Sequence, residues 1–303
     1  MAQSPIDAQA QTSFGSQLEL LAGAVLISFS AVFVRLAAVG PSVAGFYRMA
    51  FGGVLLLAIV LISRTKIWHG WRDFSLAALA GLFFAGDLTF WHRSIGYVGP
   101  GLATILANFQ VFFVTIFAIV ILKERPGWRI YVAVPLALIG LFLLVGTRWQ
   151  ELGESYQLGV ILGLVTAQFY AAYVLTLRKL QSRSGGASSM ASTMISSFVT
   201  AAATGVIALI VGESFHIAET DSLLWLILYG ICGQVLGWVL ITRSIKHIAA
   251  ARVSLTLLLQ PTLSFVWDLI FFNRPTRAIE VVGALVALAA IYLGSANPRL
   301  KKT

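Results

Sequence analysis

Charged residues and cysteine are scarce in this sequence. Asp, Glu, Lys and Arg make up only 11% of the 303 residues, whereas hydrophobic residues make up 58%. Soluble globular chains carry about 25% charged residues, so this composition excludes ordinary globular packing in water. The single cysteine, Cys232, cannot form a disulfide within the chain. The composition therefore predicts a membrane protein.

Long apolar runs divide the chain into membrane-spanning segments. About 20 apolar residues are needed to cross the hydrocarbon layer. Ten such runs can be marked, at residues 18–36, 43–62, 75–92, 102–122, 130–146, 157–177, 188–211, 223–242, 253–272 and 279–294. The connections are short and leave no room for a soluble catalytic domain. The first run is longer than a signal-peptide core, so we expect it to be retained. We predict an all-α, multi-pass membrane protein with ten transmembrane helices.

Basic residues outnumber acidic ones by 21 to 12, which gives a net charge of +9. In a soluble protein this excess would suggest a nucleic acid partner. Here the basic residues lie mostly in the short gaps between apolar runs, so the partner we expect is the lipid bilayer and not nucleic acid. With a cytoplasmic amino terminus, most of them fall on the cytoplasmic side. The positive-inside rule then predicts the inner (plasma) membrane, with both termini in the cytoplasm.

The sequence contains an internal repeat. Residues 93–110 align with residues 243–260 without a gap and share Arg-Ser-Ile at the start and Gln at the end. Further matches in the same order predict two repeats, at 18–146 and 157–294, between a flexible tail at 1–17 and a basic tail at 295–303. Each repeat has five spans, so the second enters the membrane from the opposite side. Inverted repeats of this kind are typical of transporters that alternate access to a cavity between the halves.

Several local motifs resemble a known family. They are small residues opening the fourth and ninth runs (99–104 and 249–254), Pro261 in mid-helix, Lys123-Glu124 closing the fourth run, and glycines along the fifth and tenth runs. With these features almost the whole chain resembles the drug/metabolite transporter superfamily, and within it the EamA-type proteins. In overall appearance it is most similar to the YddG-type exporters of aromatic and other amino acids. The acid expected after the ninth run is replaced by Asn273. The resemblance implies a secondary transporter that exports amino acids, aromatic ones included.

Polar and aromatic side chains share faces of several apolar runs at helical spacing. Inside a bilayer, such a face must meet another helix or a hydrated cavity. A mixture of hydrogen-bonding and aromatic groups suits a small amphipathic solute better than an ion or a lipid. For any single residue, helix packing is the alternative. The candidate substrate-binding residues are Arg48, Phe83, Asp87, Trp91, Thr104, Asn108, Tyr170, Tyr173, Gln234, Trp238, Gln260 and Ser264.

Three ionisable residues lie within the runs, and each has two readings. Arg48 is close enough to the start of its run to extend its side chain towards the interface, or it binds a substrate carboxylate. Asp87 is deeper, and it forms a salt bridge within the protein or binds a substrate ammonium or proton. For Asp268 we expect contact with water or an ion pair with Arg274. A charged side chain inside a bilayer is costly, so each of these three residues needs a partner or contact with water.

The sequence shows no motif typical of an enzyme, so we do not expect catalytic activity. The four histidines lie in or next to loops and lack the spacing of metal ligands, so we expect no metal or other cofactor. No nucleophile elbow or phosphate-binding loop is present, which excludes ATP as the direct energy source. Two other functions stay open: an exporter of aromatic cations and drugs that uses Asp87, and a non-transporting subunit of a membrane complex. Glycine-rich helix faces permit a homodimer.

Overall fold

A computed structural model describes residues 5–122, 127–151, 153–181, 188–217, 219–244 and 256–295. Within these ranges the chain is helical and contains no β-strand. The Lys123-Glu124 motif, the basic C-terminal tail and residues 245–255 of the sequence repeat lie outside the described residues. The helices, in chain order, are α1 (Pro5–Ser28), α2 (Ser30–Ala37), α3 (Pro41–Ile62), α4 (Trp71–Val98), α5 (Pro100–Asn108), α6 (Gln110–Leu122), α7 (Trp128–Val145), α8 (Glu154–Gln181), α9 (Ser189–Val211), α10 (Thr220–Leu228), a π-helix (Tyr229–Leu236), α11 (Gly237–Ser244), α12 (Leu259–Phe272) and α13 (Ala278–Ser295).

In the part of the chain that the structure describes, eight helical stretches are long and apolar enough to cross a membrane. They are Gly15–Ala37, Pro41–Ile62, Trp71–Val98, Pro100–Phe117, Trp128–Val145, Glu154–Leu180, Ser189–Val211 and Thr220–Ile241. Two further apolar helices, over Leu259–Phe272 and Ala278–Gly294, are shorter. The predicted all-helical, multi-pass membrane character is confirmed. Helix α1 begins at Pro5, within the segment expected to form a flexible tail.

Some helix ends differ from the limits of the apolar runs. The third run was expected to end at His92, but α4 continues to Val98. It can do so because the polar residues in its last turns have partners: Arg93 lies 3.5 Å from Glu213, and the Ser94 hydroxyl donates to the Gly159 carbonyl at 2.7 Å. The expectation that all histidines lie in or next to loops is therefore wrong for His92, which is buried within α4.

Helices from the two sequence repeats pack against each other along most of their length. The main pairs are α4 with α8, α3 with α9, α5 with α12, α1 with α11, and α7 with α13. By their order in the two repeats, α1 and α2 correspond to α8, α3 to α9, α4 to the span that ends with α11, α5 to α12, and α7 to α13. If corresponding helices are exchanged, the α4–α8 pair becomes the α1–α11 pair. The exchange also converts the α4–α9 pair into the observed pair of α3 and the π-helix, and leaves the other three main pairs unchanged. The packing therefore has the pattern of a two-fold exchange between the halves.

Glycines set the closest helix approaches. A Cβ on Gly140 would lie 2.6 Å from the Ala287 nitrogen, and one on Gly283 would lie 2.7 Å from the Leu144 nitrogen. The backbones of α7 and α13 therefore touch at two equivalent points. The close helix approach expected at Gly159, Gly163, Gly233 and Gly237 is also found, because a Cβ at each would lie within 3 Å of another residue of the chain.

Contacts between helix ends bring five connections to one end of the bundle. They are the connections from α2 to α3, α4 to α5, α7 to α8, α9 to α10 and α12 to α13. The Glu213 carboxylate accepts hydrogen bonds from the backbone amides of Ser42 and Val43, at 2.8 and 3.0 Å, at the start of α3. A carboxylate at this position satisfies amides that have no partner inside the helix. Asp268 does the same for α5, and Arg274 links the end of α12 to Tyr156 in α8. We call this the Asp268 end.

Candidate substrate-binding cavity

A cavity of about 180 Å³ lies between the two halves of the bundle. Helices α1 to α6 contribute to its wall from the first half, and α8, α11 and α12 contribute from the second, with Leu257 just before α12. Its lining combines hydroxyl, amide, aromatic and charged side chains with aliphatic ones. The lining residues are Ile27, Ser28, Ser30, Ala31, Arg48, Phe84, Asp87, Leu88, Trp91, Thr104, Ala107, Asn108, Gln110, Tyr170, Trp238, Ile241, Leu257, Gln260 and Ser264.

Nine of the twelve candidate residues line this cavity, and three do not. On α4 the aromatic side chain in the wall is Phe84 and not its neighbour Phe83. Tyr173 lies behind Phe84, with the two rings stacked at 4.6 Å between centroids. Gln234 is buried outside the lining, where its amide nitrogen donates to the Ser197 hydroxyl at 3.2 Å. The nine that meet come from both halves: Arg48, Asp87, Trp91, Thr104, Asn108, Tyr170, Trp238, Gln260 and Ser264.

Arg48 is held inside the bundle. Only 6% of the residue is exposed, so its side chain does not extend to the membrane surface. The Nη1 atom donates a 2.7 Å hydrogen bond to the Tyr229 hydroxyl. The guanidinium carbon also lies 4.6 Å from the centre of the Tyr229 ring and 5.6 Å from that of Phe84. Arg48 therefore presents a fixed positive charge at the cavity wall.

Asp87 supplies the opposite charge in the same lining. In the described part of the chain, no basic side chain lies within 4.0 Å of its carboxylate. Asp87 therefore does not form, among the described residues, the salt bridge that was one of its two interpretations. An acid at this depth needs hydration, protonation or a cationic partner, and the cavity gives each of these access to it.

Aromatic rings and amide groups complete the wall. Trp91, Tyr170 and Trp238 lie in the lining with Asn108 and Gln260. The indole Nε1 of Trp91 and the Nε of Arg48 are buried and have no acceptor among the described residues. Buried donors normally find a partner, so these two favour a ligand that carries an acceptor group.

Hydroxyl groups connect the two halves beside the cavity. Ser264 on α12 donates to the Thr104 hydroxyl on α5 at 3.1 Å, and Thr104 donates in turn to the Pro100 carbonyl at 2.7 Å. The Asn108 amide donates to the Thr104 carbonyl at 2.8 Å. These three candidates therefore line the cavity and also form hydrogen bonds within and between helices. Both interpretations of a polar helix face, substrate binding and helix packing, apply to them.

Three helices are interrupted at cavity level. The regular α-helix breaks at Phe29, Phe109 and Leu258, and residues on either side of these breaks line the cavity. The break at Leu258 comes three residues before Pro261, which cannot donate a backbone hydrogen bond. Span eight changes instead to a π-helix that starts at Tyr229. Such irregularities are frequent at functional sites in helices.

Contacts between the halves lie beside the cavity at the Asp268 end. Asp268 is fully buried, accepts a hydrogen bond from the Gly101 amide and lies 3.6 Å from Arg35. The expected pairing with Arg274 is wrong, because Arg274 instead contacts Glu280 at 3.4 Å. Next to these contacts, Trp267 donates from its indole to Ser28 at 2.9 Å.

Comparison with known sequences fits this architecture. The profile of the EamA-like transporter family matches the chain twice, over residues 17–146 and 157–296. The chain belongs to this family. It is a multi-pass membrane transporter, and its partners are a small-molecule substrate and membrane lipid.

Individual relatives of this EamA-like transporter are distant. It is 24% identical to a pseudopaline exporter of Pseudomonas aeruginosa over 81% of its own length and 82% of the relative. It is 23% identical to an uncharacterized transporter of Clostridium kluyveri, over 82% and 81% of the two chains. A protein of known crystal structure shares the fold, with a TM-score of 0.62 at 17% identity over 94% of this chain and 99% of its own.

Several residues of the EamA-like transporter's cavity were missed by the sequence reasoning. Ser28, Ser30 and Gln110 are polar residues within apolar runs and could have been found by the same rule as the others. Tyr229, which does not line the cavity but contacts Arg48, had no such signal, because an isolated tyrosine near the start of a run is typical of the membrane interface. Its contact with Arg48 joins residues 181 positions apart in the sequence.

Proposed function

We propose that this EamA-like transporter exports small amphipathic metabolites of the amino acid class, aromatic members included, by alternating access to the cavity between its halves. The observation that carries the proposal is the presence of Arg48 and Asp87 in one cavity with an aromatic wall. A free amino acid has a carboxylate, an ammonium group and a side chain, and the lining offers a complement to each.

The three parts of the substrate have distinct partners. The carboxylate binds Arg48, and the ammonium group binds Asp87. Trp91, Tyr170 and Trp238 contact the apolar side chain, since flat rings cover aromatic and aliphatic groups alike. Asn108 and Gln260 hydrogen-bond to remaining polar atoms. A relative named as a pseudopaline exporter supports export as the direction of transport.

The proposed architecture has ten spans in two inverted units, in the inner membrane with both termini in the cytoplasm. Two observations support it: the two-fold pattern of helix packing, and the gathering of the connections after spans one, three, five, seven and nine at the Asp268 end. Strict alternation of ten spans brings those five connections to one side. The basic residues then assign that side to the exterior.

Counterflow in proteoliposomes tests the proposal. Vesicles loaded with an unlabelled amino acid should accumulate the same labelled amino acid when they contain the protein. Trp91→Ala and Trp238→Ala should each raise the KM for an aromatic amino acid about tenfold, because each removes a ring from the cavity wall. Trp128→Ala is the matched control, since Trp128 is 68% exposed at the start of α7. Equal KM values for all three variants would reject the site.

Export of aromatic cations is the second candidate, favoured by an Asp87 carboxylate that has no basic side chain within 4.0 Å among the described residues. Aromatic rings around a carboxylate bind organic cations well. A dicationic dye should then compete with labelled amino acid in the wild type and lose its potency in Asp87→Asn. Saturable uptake of the dye into proteoliposomes, without amino acid counterflow, would favour this candidate. Absence of flux with both classes would reject both candidate substrate classes.

A further inference from the structure

Arg48 is one end of a buried chain of hydrogen bonds that leaves the cavity. Its Nη1 atom lies 2.7 Å from the Tyr229 hydroxyl, and that hydroxyl lies 2.8 Å from Nε2 of His92. The other ring nitrogen of His92, Nδ1, lies 2.8 Å from the Pro41 carbonyl. All three side chains are buried, at 6% exposure or less. Tyr229 and His92 are not part of the cavity lining.

The donors and acceptors in this chain have a single consistent order. A guanidinium can only donate, so the Tyr229 oxygen accepts from Arg48. A backbone carbonyl can only accept, so Nδ1 of His92 carries a proton and donates to Pro41. Nε2 of a neutral His92 is then an acceptor, and the Tyr229 hydroxyl donates its proton to it. Each hydrogen bond thus fixes the direction of the next, from the backbone at the start of α3 to the guanidinium.

The backbone around this chain leaves little freedom. The π-helix begins at Tyr229, which sets the direction of that side chain. At the following residue, a Cβ on Gly230 would lie 3.2 Å from the Arg48 carbonyl and 2.8 Å from the Phe51 side chain. Span eight therefore approaches α3 at the residue that carries the guanidinium. Helix α4 supplies His92 from the other side.

We propose that Tyr229 and His92 are positioning residues that give the cavity its preference for carboxylates, by holding Arg48 in one orientation. The inference rests on the proposed function, in which Arg48 binds the carboxylate of the substrate. A flexible arginine would lose conformational entropy on binding, whereas a fixed one presents its remaining donors at no such cost. The buried Nε of Arg48, which has no acceptor among the described residues, is one donor that this arrangement reserves.

A selectivity ratio tests the inference. The ratio is the KM for an amino acid carboxamide divided by the KM for the parent amino acid, measured by counterflow in proteoliposomes. Tyr229→Phe removes the acceptor for Arg48 and should lower the ratio about tenfold, the size expected for a hydrogen bond to a charged group. Tyr47→Phe is the matched control, because it removes one tyrosine hydroxyl bond, to the Phe215 carbonyl, next to Arg48 in sequence.

A double-mutant cycle separates positioning from general damage. In an Arg48→Gln background the ratio should be low already, and Tyr229→Phe should change it no further. A Tyr229→Phe effect that persists in that background, or one no larger than that of Tyr47→Phe, would overturn the inference while wild-type counterflow keeps the proposed function intact. Absence of wild-type amino acid counterflow would overturn both.

Two substitutions of His92 repeat the test without touching the tyrosine. His92→Gln keeps an amide oxygen that can accept from Tyr229, whereas His92→Asn is too short to do so and retains only the bond to Pro41. We expect a near wild-type ratio for His92→Gln and a lowered ratio for His92→Asn. If Tyr229→Phe does not give a monodisperse protein, the two His92 variants test the inference in its place. Equal ratios for the two variants would contradict a role of His92 through Tyr229.

Discussion

Asp268 and Gly101, which are 167 residues apart, form a hydrogen bond between the two halves of the transporter: the Asp268 Oδ2 atom accepts the Gly101 amide at 3.0 Å. The bond lies at the first turn of α5, where backbone amides have no partner in the helix and the helix dipole favours negative charge. Arg35 lies 3.6 Å from the other carboxylate oxygen. One acidic side chain thus joins α12, α5 and α2 at the Asp268 end of the bundle.

Substitution of Asp268 should separate its hydrogen bond from its charge. Asp268→Asn keeps an oxygen that accepts from Gly101, so most of the stability should remain. Asp268→Ala leaves the buried amide without an acceptor and should lower the free energy of unfolding by about 1–3 kcal/mol. Thermal unfolding of the purified protein in detergent, followed by circular dichroism, measures both. Equal unfolding temperatures for the two variants would show that the hydrogen bond contributes nothing.

Gly99, at the junction of α4 and α5, is required by the backbone and by this carboxylate together. Its φ is +87°, and a Cβ would lie 2.6 Å from the Asp268 Oδ2 atom. Gly99→Ala should therefore lower the free energy of unfolding by about 1–3 kcal/mol. Gly96→Ala, three residues earlier, is the matched control: nothing lies within 4 Å of its Cβ position, and it is within α4. There alanine should be neutral or stabilise by up to about 1 kcal/mol. Similar losses at both positions would contradict the geometry of the junction.

Glu213 has the same role for α3 that Asp268 has for α5. Its carboxylate accepts from two backbone amides of α3 and lies 3.5 Å from Arg93. Glu213→Ala should lower the free energy of unfolding by about 1–2 kcal/mol, the usual loss for a helix cap. Glu219→Ala, an exposed glutamate in the same connection with no side-chain cap hydrogen bond, should change it by less than about 0.5 kcal/mol. Chemical denaturation in detergent compares the two, and losses of the same size would exclude a capping role.

The sequence reasoning located the cavity well on regular helices. Asp87 and Trp91, one helical turn apart on α4, both line it, as do Gln260 and Ser264 on α12. A period of four residues selects such faces because the α-helix repeats every 3.6 residues. The same period cannot choose between Phe83 and Phe84, since either one lies about one turn from Asp87. Only packing against Tyr173 decides in favour of Phe84.

Irregular backbone and long-range pairs account for the other differences. Gln234 and Trp238 would share one face of an ideal helix, but the π-helix that ends at Leu236 shifts the register between them, and only Trp238 lines the cavity. No local pattern predicts a π-helix. The pairing of Asp268 with Arg35 instead of the nearby Arg274 depends on how α12 packs against α2. Sequence proximity alone suggested the wrong partner.

The central claim is that substrate passes through the cavity between the halves. Its most direct test is thiol blocking in a Cys232→Ser background, which has no other cysteine. Ala107→Cys places a small thiol in the cavity wall, and Ser75→Cys places one on the exposed start of α4 as a control. A charged methanethiosulfonate reagent should abolish amino acid counterflow in the Ala107→Cys protein, with protection by excess substrate, and leave the Ser75→Cys protein active. Complete labelling of Ala107→Cys with unchanged counterflow would contradict the claim.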